Sequence, residues 1–194
     1  GMLSINGYAT AAIDHPLHGS RGFDLNGDGV DEINASTISA THYMNLASLL
    51  TTRDNLRQST SDMLGLRLGV NFLGGVHADA SPVKVDPANV HFLGHSLGAI
   101  TGINFMSMAN SPLAPTVDPL FKVVSNSLAM PGVTVPSLLM ESGAFGNVIK
   151  SGLTFEASPE FQAFVGQLYP DGASEQELVE AYVQFYAALT PEQQ

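Results

Sequence analysis

The stretch Asn89–Gly102, NVHFLGHSLGAITG, constrains this chain more than any other of its length. It reads as a short apolar strand, a serine flanked by glycines, and the opening of a helix. A buried strand passing straight into a helix belongs to an α/β architecture. The spacing predicts a strand over Val90–Leu93 and a helix from Leu97 to Met108. Glycine is expected at 94 and 98, because a side chain at either place would collide with the neighbouring strand or helix. The pattern G-x-S-x-G alone says little. With 19 Gly and 18 Ser in 194 residues, composition supplies roughly 0.2 matches. Context supplies the specificity. A serine at that corner holds its hydroxyl out at the strand end, and the helix N-terminus aims backbone N–H groups at an incoming anion. Ser96 is thus a candidate nucleophile and the Leu97 N–H a candidate oxyanion donor, with Gly94, His95 and Gly98 completing the turn. The competing reading is a plain strand-to-helix corner whose serine only caps the helix.

Strand and helix signals alternate around this stretch. MLSING ends a helix at Gly7, the left-handed residue that stops it. Tyr8–Asp14, YATAAID, has the compact apolar character of a strand buried on both faces. His15–Glu32 is loop, dense in Gly, Pro, Asn and Asp. A helix is expected within Thr52–Leu73, opened by a capping box of Thr51 and Asp54 and burying Leu56, Met63, Leu66, Val70 and Leu73. Gly74–Ala88 reads as a surface loop and Phe121–Asn126 as a third strand. Beyond Met130 the signals are helical. Ser158 precedes Pro159, a strong N-terminus, and Ser174 with Glu177 forms a capping box before Leu178, Tyr182, Phe185 and Leu189. The expected organisation is α/β: residues 1–129 hold three mainly parallel strands with flanking helices, and residues 130–194 form a helical segment.

Composition excludes several classes. The chain is 44% hydrophobic and 13% charged, against about 25% charged for ordinary soluble domains. Its net charge of −11 argues against a nucleic-acid partner, which would require a basic face. The absence of cysteine removes disulfides and thiolate metal sites. No apolar run reaches the roughly 18 residues of a membrane span. Met2 is followed by neither a basic nor a long apolar region, so no signal peptide is expected.

Four stretches together carry a resemblance: AIDHPLHGSRGFDLNGDG, LASLLTTRDNLRQSTSDMLGL, VHFLGHSLGAITG and LAMPG…ESGAFGNVIKSGL. From about Leu3 to Gly152 the chain resembles the large secreted bacterial lipases of the virulence-factor type, within the α/β-hydrolase superfamily. The resemblance implies a partial α/β-hydrolase core followed by the start of a helical lid. It also implies an extracellular carboxylic-ester hydrolase acting on acyl lipids through a Ser-acid-His triad, of which only Ser96 carries over. In that superfamily the acid and histidine follow the serine in sequence, yet no histidine follows Ser96 here. His95 is expected to point away from the serine, and His91, on the strand, is expected to be buried. Asp118, Glu141 and Asp171 follow Ser96, but none lies at the end of an expected strand. The resemblance therefore implies a central fragment, inactive by itself, whose acid and base lie beyond Gln194. A missing neighbouring strand would leave an open sheet edge suited to homodimer formation. Phe145, Val148, Leu153 and Phe155 are candidate lining for an acyl pocket.

Two polar clusters remain. In DLNGDGVDE, Asp24, Asn26, Asp28, the Val30 carbonyl and Glu32 follow the first half of an EF-hand-type calcium loop, while Ala35 stands where the bidentate Glu belongs. The alternative is a solvated Asn-Gly/Asp-Gly turn. Asp14, His15 and His18 have the composition of a zinc site, though an ordinary loop suits Pro16 and the following glycines better. Outside the lipase reading, the candidates are a calcium-binding interaction module with a vestigial serine turn, and a serine peptidase or thioesterase of the same fold.

Overall fold

The structure, a computed structural model, describes residues 2–45, 48–76, 82–132, 137, 140–143 and 146–190. The chain divides into two units, one of Gly1–Asn45 with Leu50–Gly132 and one of Leu46–Leu49 with Val133–Gln194.

In the first unit, β3 (His91–His95) and β4 (Ser125–Ala129) form a parallel pair in register from His91↔Ser125 to His95↔Ala129. Helix α3 (Leu97–Ala109) covers one face of the pair. Gly102 makes that contact close, since a Cβ there would lie 2.4 Å from a carbon of the Phe92 ring. Phe92 meets Phe105 with ring centroids 5.0 Å apart. Met63, Phe105, Ala109 and Val123 form the buried core, with Leu64, Phe92 and Met106 against it. The opposite face is largely exposed among the described residues: His91, Leu93 and His95 are exposed, Leu93 to 70%. His91 is therefore not buried as expected. Its Nδ1 lies 2.8 Å from the Ser125 hydroxyl and its ring meets Tyr8 edge-on.

The long helix α2 (Leu49–Val70) packs an unexpected face inward. Thr52, Ser59, Thr60, Met63 and Arg67 are its buried residues, whereas Leu56, Leu66 and Val70 are half-buried and Leu73 is exposed. Polar residues can take this face because each finds partners. The Thr52 hydroxyl donates to the Asn45 carbonyl and the Thr60 hydroxyl to Leu56. Arg67, only 2% exposed, donates to the carbonyls of Lys122, Pro87 and Pro119, and its Nη1 is left without a partner. The helix begins before Thr51, so no capping box forms there. Asp54 instead pairs with Arg53 and Arg57.

Three other expectations are corrected. Tyr8–Asp14 is no strand: its residues are exposed and form no ladder, because an apolar segment becomes a strand only with a neighbour to pair with. The third strand lies four residues later than expected. Phe121 closes the short helix α4 (Asp118–Phe121), which Pro119 in its first turn favours. The expected surface loop contains an antiparallel pair, β1 (Gly74–Val76) with β2 (Pro82–Lys84). The first unit is thus mixed helix and strand, with a two-stranded parallel sheet where three strands were expected. Its N-terminal turn, α1 (Met2–Ile5), ends at Gly7 with φ 80°, as expected.

The second unit contains α5 (Gly146–Ala157), α6 (Pro159–Leu168) and α7 (Glu175–Ala188). Ser158 caps α6 by accepting from the Phe161 N–H, and Ser174 and Glu177 form the full capping box of α7. Both starts match the sequence because caps are local. Phe161, Val165 and Ala181 form the buried core, joined by Phe155, Leu178, Tyr182 and Phe185. Phe155 thus belongs to helix packing rather than to a pocket wall. Val148 is half-buried, and Phe145 lies outside the described residues. Among the described residues, no helix is long and apolar enough to cross a membrane.

Candidate active site

Ser96 joins β3 to α3 with φ 50° and ψ −118°, a conformation that L-residues adopt at a cost of about 1–3 kcal/mol. The surroundings hold it there. Its N–H donates to the Ala129 carbonyl at 2.9 Å, continuing the β3–β4 ladder one residue past the strand. Its carbonyl accepts from the N–H groups of Ala99 and Ile100, which starts the helix. Gly94 makes the tight return possible: a Cβ there would lie 2.6 Å from the Gly98 oxygen and 2.9 Å from the Ala99 Cα. Gly98 has no such role, because a Cβ at 98 would meet nothing within 4 Å. The close approach lies one helical turn later, at Gly102.

The Ser96 side chain is exposed and makes no cap hydrogen bond to the helix it precedes. A serine serving as cap would accept from an N–H two or three residues on. Leu97, the first residue of α3, has no intrahelical acceptor for its N–H. A free hydroxyl therefore stands beside an N–H donor at the positive end of a thirteen-residue helix. Both lie at the carboxyl end of a parallel strand pair, where α/β sheets place ligands. The residue after the adjoining strand, Met130, is also left-handed, with φ 54°.

No base faces this serine among the described residues. His95 is exposed beside it, His91 bonds to Ser125, and His42 Nδ1 accepts from the Asn34 N–H. Asp118 is occupied in capping: one oxygen accepts from the N–H groups of Leu113 and Ala114. Glu141 and Asp171 are exposed.

Asp14, His15 and His18 do not converge on a metal position. The Asp14 carboxylate accepts from both the N–H and the hydroxyl of Ser20, which hold its pKa below the ordinary aspartate value. His18 Nδ1 lies 2.9 Å from the Pro16 carbonyl, so it carries the proton and donates. His15 turns instead to a buried polar chain. Its Nδ1 is 3.0 Å from the Ser59 hydroxyl, which lies 2.6 Å from the Tyr43 hydroxyl. Ser59 and Tyr43 escaped notice in the sequence. The signal was there in part, since Ser59 stands seven residues after Thr52 on one helix face.

Asp24, Asp28 and Glu32 bring carboxylate oxygens within 4.8 Å of one another, the one such acidic or histidine cluster among the described residues. An isolated bridge between Phe23 and Ile33 closes the loop that carries them. Asp24 accepts from the N–H groups of Gly29 and Gly27, which lower its pKa. Asn26 and Asp28 accept from the N–H two residues on, and Glu32 accepts from the Leu25 N–H. These internal hydrogen bonds are those of a folded Asn-Gly/Asp-Gly turn.

The fold and site define a mixed α/β protein with a strained, uncapped serine between a parallel strand and a helix. No family model, curated protein or solved structure matches the chain.

Proposed function

We propose that this chain carries the nucleophile of a serine carboxylic-ester hydrolase, on a partial α/β-hydrolase core acting on acyl lipids outside the cell. One observation carries the reading: Ser96 is held at φ 50° with its hydroxyl uncommitted. Strain of this kind persists where the surroundings over-determine it and where it serves a site. The Ser96 Oγ attacks the ester carbonyl carbon, and the Leu97 N–H donates to the oxyanion that forms. The carbon–oxygen bond to the alcohol breaks, the alcohol leaves with the serine proton, and water releases the acid from the acyl-serine. The base that moves this proton is not among the described residues.

The test uses a fluorophosphonate probe and an ester assay on the protein expressed with whatever flanking sequence its reading frame encodes. Labelling at Ser96 is expected, together with a loss on the order of 10³-fold or more in turnover for Ser96→Ala. Turnover of the variant within tenfold of the parent would falsify the assignment. The Asp24, Asp28 and Glu32 carboxylates favour a second reading, a calcium-binding interaction module with an idle serine turn. That protein would bind the ion and leave the probe unreacted.

A further inference from the structure

Between α5 and α7 runs a groove of about 720 Å³, within the roughly 300–1,000 Å³ range of small-molecule sites. Leu153, Tyr182, Phe185, Tyr186 and Leu189 give it apolar and aromatic walls, and Lys150 is set among them. Lys150 is the sole cation in residues 133–194, a stretch with eight carboxylates. It nevertheless pairs with none of those described. Sequence position explains why. Helix neighbours lie three and four residues apart, and around Lys150 these are Gly146, Asn147, Leu153 and Thr154. None is acidic, and Asn147, Leu153 and Thr154 share the groove with the lysine. The lysine stem can lie along the apolar wall while its ammonium stays at the rim.

We propose that this groove binds an alkyl monocarboxylate, with its chain against the Leu153, Phe185 and Leu189 side chains and its carboxylate on Lys150 Nζ. The walls favour an alkyl chain because Met140, Leu153, Phe185 and Leu189 offer it apolar area. The charge selects a single anionic head. One ammonium neutralises one carboxylate, whereas the excess of acids in the same unit would repel a polyanion such as an alkyl phosphate. Lys150 has no carboxylate partner among the described residues, and the ligand carboxylate supplies one through a charge-assisted hydrogen bond.

Titration calorimetry of the 194-residue chain with decanoate, decyl phosphate and decyltrimethylammonium tests the proposal. Decanoate should bind in the micromolar to submillimolar range, at least about tenfold tighter than either competitor. Lys150→Gln should weaken decanoate about tenfold with unchanged helical circular dichroism. Leu153→Glu, at a partly exposed position, should abolish binding by placing a carboxylate against the chain. No heat at millimolar decanoate overturns the proposal, as does equal binding by the Lys150→Gln protein or by the alkylammonium. Decanoate carries no ester, so this outcome is independent of Ser96.

Discussion

At the scale of single residues, the Ser96 turn depends on what its glycines touch. Gly94 faces backbone atoms of the first turn of α3, which cannot move aside without unwinding the helix start. Gly94→Ala should therefore destabilise the first unit by about 1–3 kcal/mol, as overpacked sites do. Gly98→Ala meets open space inside a helix and should be neutral or stabilising by about 0.4–1 kcal/mol. Urea midpoints of the two variants check this, and equal shifts would remove Gly94 from its structural role. The sequence marked both glycines alike because spacing shows that a turn is tight without showing which residue makes the contact. Gly102, which admits the Phe92 ring, carried no motif and was invisible for that reason.

At the scale of elements, α2 and the loops held to it invert the usual pattern by burying hydroxyls and a guanidinium. Burial holds the His15 pKa below the ordinary histidine value, and the charges of His18 and Arg21 lower it further. The unfolded chain thus takes up this proton more readily than the folded one. The stability that neutral His15 contributes is complete above about pH 6.5 and is lost as pH falls through the lowered folded value. Urea midpoints should decline below about pH 6.5 in the parent and decline less steeply in His15→Gln. An identical slope in both proteins would clear His15 of the effect. The Asp24–Glu32 turn makes a separate prediction. With Ala35 in place of a bidentate acid, calcium should bind with a dissociation constant of about 10⁻⁴ to 10⁻³ M, and Asp28→Ala should eliminate it. Absence of calorimetric heat at millimolar calcium would reduce the segment to a turn. Helix starts at Ser158 and Ser174 were legible because a cap is written within four residues. The strand expected over Tyr8–Asp14 was not, because pairing depends on a neighbour that no local pattern records.

At the scale of the molecule, the β3–β4 pair has one face covered by α3 and one face largely exposed among the described residues, although parallel sheets are ordinarily covered on both. With Leu93 exposed on that face and the sheet edges unpaired among the described residues, association with a second copy of the chain is expected. Size-exclusion chromatography with light scattering should give a dimer at tens of micromolar, and Leu93→Lys should shift it to monomer. A monomeric parent at that concentration would exclude self-association through this sheet. Arg67 sets a different property of the whole. Its guanidinium gathers the carbonyls of Lys122, Pro87 and Pro119, and amide carbonyls, unlike carboxylates, do not titrate over the working range of a protein. This clasp therefore keeps the same strength as acid is added, while the carboxylate and histidine contacts around the first fifty residues lose theirs. Acid should undo the molecule from its N-terminal loops inward, with the amides near Arg67 the last of the first unit to exchange their hydrogens.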